Sequence, residues 1–137
     1  MALIPVNYEE GQLVELPFST GETVVKGGAV VADADGFYIM AGASTATDIY
    51  YVAMVDTTTT ANGDKVLCLR VHNKVVLECD TDANPARTDV GTLVDLATVS
   101  TINPNASVND LFYIEDIVGA VADQKVRGFF VDGAGNA

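Results

Sequence analysis

Residues 21–56, GETVVKGGAVVADADGFYIMAGASTATDIYYVAMVD, limit the folds open to this chain: a Lys-Gly-Gly turn, an Asp-Gly turn and an Ala/Ser/Thr loop separate short apolar runs. Val, Ile, Tyr and Phe suit a pleated, half-buried surface, and glycine permits the positive φ of tight turns. Propensity and turn chemistry therefore agree on consecutive β-strands.

The rest of the chain follows the same style. Residues 12–16 read as a short edge strand ended by Pro17, and Val24-Val25, 29–32, 37–40 and 50–55 supply the next runs. Residues 57–64, TTTTANGD, read as a solvent loop that reverses the chain. Residues 66–71 and 75–79 form a hairpin candidate around His72, Asn73 and Lys74, with Val71 facing Val75, Leu69 facing Leu77 and Leu67 facing Cys79. A two-residue loop would instead bring Cys68 opposite Cys79; the first register gives one wholly apolar face and is preferred. Residues 80–89 are a polar connector, 91–97 another strand, 98–110 a turn-rich extended path with one possible helical turn at 107–110, and 111–118 and 125–131 the closing strands. No long segment has a helical stripe. The expected fold is mainly β with little helix: one compact, barrel-like or sandwich domain over residues 11–137, preceded by an extended arm at 1–10.

Composition narrows the function. At 137 residues the chain is long enough for one core without metals or disulfides, and 49% hydrophobic against 19% charged residues is a globular balance. A formal charge of -12 repels nucleic acid and anionic membrane. No apolar run approaches the ~18 residues a membrane span needs, and MALIPVNYEEG has no basic region followed by a long apolar stretch. Cys68 and Cys79 are too few for a disulfide framework and lie in apolar runs where a small hydrophobe would serve. Synthesis in a reducing cytoplasm is the expectation.

The chemical motifs fail on inspection. DTDANP starts like a calcium loop, but Pro85 stands where the turn glycine belongs and Gly91 where the bidentate glutamate belongs. His72, Cys68 and Cys79 lack zinc-ligand spacing. There is no GxSxG, no second histidine, and no glutamate or aspartate spacing that sets two carboxyls across a cleft. Lys26-Gly27-Gly28 lacks the spacing of a phosphate loop. No catalytic residue, cofactor site or metal site is expected, and a binding or assembly component is favoured over an enzyme.

The segments ETVVKGGAVVADADGFYIM, DIYYVAMVD and GDKVLCLRV, in their order of turns and strands, resemble the small head decoration proteins of tailed bacteriophages, also called cement or head-stabilising proteins. The resemblance covers the first half most clearly; the second half, residues 80–131, is longer than the family pattern. It implies a β-rich, barrel-like virion protein on the outer surface of an icosahedral head. Its partner would be the major capsid protein, and the family is commonly trimeric, though dimers and monomers occur. It also implies capsid contact through the N-terminal arm, whose matching residues are Leu3, Ile4, Pro5, Val6 and Tyr8. Their apolar character independently suggests an arm that folds back or adds to a strand edge. The alternatives are a head-fibre, tail or baseplate component, or a small non-enzymatic binding module.

Overall fold

A computed structural model describes residues 4–5, 13–43, 45, 47–71 and 75–131. Among the described residues, thirteen strands account for the regular structure, with two single-turn 3-10 segments at Arg87–Asp89 and Val121–Asp123. The fold is mainly β, as the turn and strand pattern predicts. In chain order the strands are β1 (Ile4–Pro5), β2 (Leu13–Phe18), β3 (Thr23–Val24), β4 (Ala29–Ala32), β5 (Tyr38–Met40), β6 (Tyr51–Ala53), β7 (Thr57–Thr58), β8 (Asp64–Arg70), β9 (Leu77–Thr81), β10 (Leu93–Thr98), β11 (Thr101–Asn103), β12 (Phe112–Ile117) and β13 (Lys125–Phe130).

Strands β2-β5-β4-β6-β8 close into a barrel, with β2 and β5 parallel and the other pairings antiparallel. The larger sheet runs β1-β9-β11-β10-β12-β13, and an additional β13–β9 pairing joins its ends, so β9 to β13 also form a ring. Here too one pairing, β9 with β11, is parallel and the rest are antiparallel. The two rings therefore share one topology, with β2, β4, β5, β6 and β8 of the first matching β9, β10, β11, β12 and β13 of the second.

The correspondence extends to individual hydrogen bonds. Gly27 N donates to Ala53 O and Ala53 N to Gly28 O; in the second ring Gly91 N donates to Ile114 O and Ile114 N to Thr92 O. Ser19 N to Tyr38 O is matched by Asp82 N to Ile102 O, and Val71 N to Tyr50 O by Val131 N to Leu111 O. Strand register agrees at the ring centre, where Cys68 lies between Val14 and Ala53 as Gly128 lies between Leu77 and Ile114; the second ring adds register shifts between Leu96 and Thr98 and between Ile114 and Asp116. Gly27 and Gly91, both at positive φ (77° and 86°), make the matching turns into β4 and β10.

Alternation along the strands separates two faces. Leu16, Phe18, Val30, Ala53, Val66 and Cys68 fill the first ring. Their neighbours Ala29, Val52 and Leu69 point outward, yet all are fully buried, in one continuous cluster with the second-ring residues Leu77, Leu96, Ile102, Phe112, Ile114 and Phe130. The side wall of the first ring thus packs on the second. Phe112 and Phe130 meet edge to face, centroids 5.2 Å apart. Burying each such ring contributes roughly 2–3 kcal/mol, so packing dominates the stability of a fold with few long ladders.

Four local expectations are corrected. Strands β8 and β9 do not form a hairpin: β8 pairs with β2 and β6, and β9 with β13, β11 and β1, so the chain passes there from one ring to the next. Each strand finds apolar partners elsewhere on both edges. Strand β2 runs through Pro17, which pairs with Lys65, because β5 meets β2 only at Phe18 and the proline position has a neighbour on one side. Thr57–Thr58 forms β7 against β3, and Thr59 is buried, its hydroxyl donating to Ser19 O and accepting from Glu22 N. Residues 107–110 hold a bend at 108–109 and no helical turn.

Candidate functional site

The residues singled out for chemistry disperse. Cys68 lies inside the first ring and Cys79 in the second-ring core, both as free thiols. Burial pushes the Cys68 thiol up to about 12, and burial together with Asp80 pushes Cys79 higher still. A thiolate is the reactive form, so neither acts as a nucleophile near neutral pH. Iodoacetamide at pH 8 is expected to leave both unmodified in the native protein and to label both in denaturant, read by mass spectrometry. His72 lies outside the described residues. Among the described residues no three His, Cys, Asp or Glu side chains converge as a metal site. In the calcium-like segment, Asp80 Oδ1 instead accepts from Lys125 Nζ at 2.8 Å, and Asp89 Oδ2 accepts from Ala86 N at 2.7 Å to close the 3-10 turn.

Carboxylates elsewhere tie loops to the rings. Asp64 Oδ2 accepts from the backbone N–H of Thr60 (2.8 Å) and Ala61 (3.1 Å), which hold its carboxyl below the usual range. The Arg87 guanidinium, 2.8 Å from Asp116, does the same there. A folded-state value below the unfolded one gives stability that is present above the unfolded value and lost as pH falls through the folded one. The thermal midpoint is therefore expected to fall on acidification below the ordinary carboxylate range. Asp64→Asn should flatten that acid limb in melts recorded from pH 5 to pH 2.

Of the capsid-contact candidates, Ile4 and Pro5 form β1, antiparallel to β9 with Ile4 opposite Glu78 and Pro5 opposite Leu77. Leu3, Val6 and Tyr8 lie outside the described residues. The arm's described part thus sits at the β9 edge, beside the point where β11 joins the same strand.

Two surface features were not singled out from the sequence. The first is loop 107–110. Asp95, buried in β10, accepts from three successive backbone amides: Val108 N at 3.1 Å, Asn109 N at 2.8 Å and Asp110 N at 2.9 Å. Ser107 Oγ donates to Asp110 Oδ1 at 2.6 Å, and Asp110 takes a left-handed φ of 55°. This scaffold presents Val108, 84% exposed, at its tip. Fixing the backbone before contact reduces the ordering cost of binding. The available signal was an acid between Val94 and Leu96 in an apolar run, where a charge needs partners.

The second feature is the outer wall of the second ring. Leu93, Tyr113 and Phe129 are register neighbours across β10, β12 and β13, all half-buried, with the Tyr113 and Phe129 rings stacked at 5.1 Å and 25°. Comparison with protein-family models, curated proteins and solved structures finds no match.

Proposed function

We propose that the protein is a capsid decoration protein of a tailed bacteriophage, which binds the outer surface of the head and stabilises the shell by bridging capsomers. The reading is carried by the three resembling segments, which lie in one body: they supply β3, β4, β5, β6 and β8, four of them staves of the first barrel. It is supported by the apolar arm, whose Ile4 and Pro5 sit on a strand edge, and by the rigidly held Val108 tip.

The mechanism is linkage. A protein that binds the assembled shell and not its separated subunits stabilises the shell by mass action. Once one contact forms, the second is intramolecular, and bridging neighbours multiplies weak contacts without chemistry. The charge of -12 keeps decorated particles apart.

The arm contact is tested by truncation. Removing residues 1–10 is expected to weaken co-sedimentation with undecorated heads of the source phage at least ~10-fold in apparent affinity, while circular dichroism retains the β spectrum. Unchanged co-sedimentation would remove the arm from the interface.

A further inference from the structure

The shared topology of the two rings gives the paired strand positions outside the bulges of the second ring counterparts in the first, including the positions that join the rings. At that junction the outward row Ala29, Val52 and Leu69 of the first ring is fully buried, in one cluster with Leu111, Phe112 and Phe130 at an end of the second. The turn between β10 and β11 seats beside it: Val99 O accepts from Ala29 N at 2.7 Å, and a Cβ built on Gly28 lies 3.6 Å from Val99 Cβ.

The counterpart of Ala29, Val52 and Leu69 is the half-buried row Leu93, Tyr113 and Phe129. Leu93 and Phe129 are apolar, Tyr113 is aromatic with one hydroxyl, and each is larger than its match, so the second ring keeps the largely apolar character of that wall. The counterpart of the seated turn is the exposed turn between β4 and β5, of equal length, in which Asp35 matches Val99. Where the second ring's covered end carries Leu111, Phe112 and Phe130, the first ring carries Tyr50, Tyr51 and Arg70. Tyrosine and arginine in place of leucine and phenylalanine suit a surface that meets both water and a partner. In stacked repeats each unit meets its neighbours through equivalent faces, so a face buried between two units has an equivalent on the next.

We propose that the Leu93–Tyr113–Phe129 face receives the first ring of a second copy of this chain, head to tail, repeating between chains the junction that joins the two rings within one. The contact is heterologous, so copies close into a ring or extend. The inference rests on the ring correspondence alone and stands apart from the capsid reading.

The test uses the junction geometry. Thr92 is the counterpart of Gly28 and Asp35 that of Val99, and a Cβ separation like that of the internal pair suits a disulfide. Both are surface positions, and the native thiols are buried. Full-length Asp35→Cys and Thr92→Cys proteins, mixed and oxidised, should give a covalent dimer containing one chain of each, while neither alone crosslinks. The protein carrying both should give a ladder of multimers or a closed ring. Tyr113→Asp added to the Thr92→Cys chain should cut the crosslinking rate roughly tenfold with the β circular dichroism spectrum unchanged. Absence of the mixed dimer, as when the chain's own arm occupies the face, would overturn the proposal. So would Thr92→Cys crosslinking to itself, which marks a face-to-face pairing.

Discussion

Gly128→Ala is expected to lower the unfolding free energy by about 3 kcal/mol or more, at the upper end of overpacking effects, read as a shift in urea midpoint. A Cβ on Gly128 would collide with the carbonyl oxygen of Tyr113 on β12 and lie 2.8 Å from Phe112 Cε2. The first is backbone and the second a fully buried ring, so neither can swing aside. The matching position in the first ring shows why the site is glycine here. Cys68 carries a side chain beside Ala53 and Val14, whereas Gly128 lies between the larger Ile114 and Leu77, with the Tyr113 carbonyl and the Phe112 ring filling the space of a Cβ. Large and small residues exchange places while the ring volume is kept. A loss under about 1 kcal/mol would mean that the second ring is packed more loosely than its buried residues imply.

Asp95→Ala is expected to cost about 3 kcal/mol, because three backbone amides lose a charged acceptor at once. The effect should be local as well as global. Amide hydrogen exchange at Val108, Asn109 and Asp110 should rise by orders of magnitude, while that of Phe18 and Val66 in the first ring follows only the change in global stability. Exchange at residues 108–110 equal to the native rate would show that the loop holds its shape without the carboxylate. If Val108 contacts a shell, the variant also binds more weakly with the domain still folded.

Much of the first half was legible because each strand there is bounded by turn chemistry that admits few alternatives. Gly27 and Gly36 hold positive φ (77° and 87°) on either side of β4, and Val30 with Val31 between them reads as strand without any tertiary knowledge. The misses share a cause. Thr101–Asn103 offers only Ile102 as an apolar residue and is followed by Pro104, so its strand character comes from β9 and β10 alongside it. Thr57–Thr58 likewise depends on β3. The β8–β9 hairpin satisfied every local rule, yet the apolar faces of both strands are better enclosed by the rings to which they belong.

The repeat was hidden because equivalence is held by register and volume rather than identity. Glu15 with Glu78, Gly27 with Gly91, Val30 with Val94, Lys65 with Lys125, Val66 with Val126 and Val71 with Val131 are retained, but they are scattered and unevenly spaced. Elsewhere Ala53 matches Ile114, and Arg70 matches Phe130. Candidate contacts were legible only in part: the arm drew notice by its apolar residues, whereas Asp95 became informative once its three amide partners, distant along the chain, were in place.

Cryo-electron microscopy of the source virion tests the proposed function most directly. Density for this chain is expected to repeat over the outside of the capsid lattice, in copy number comparable with the major capsid protein, with the N-terminal arm or the Val108 loop against the shell. Density confined to a vertex, fibre, tail or baseplate, or no density on the particle, would contradict it.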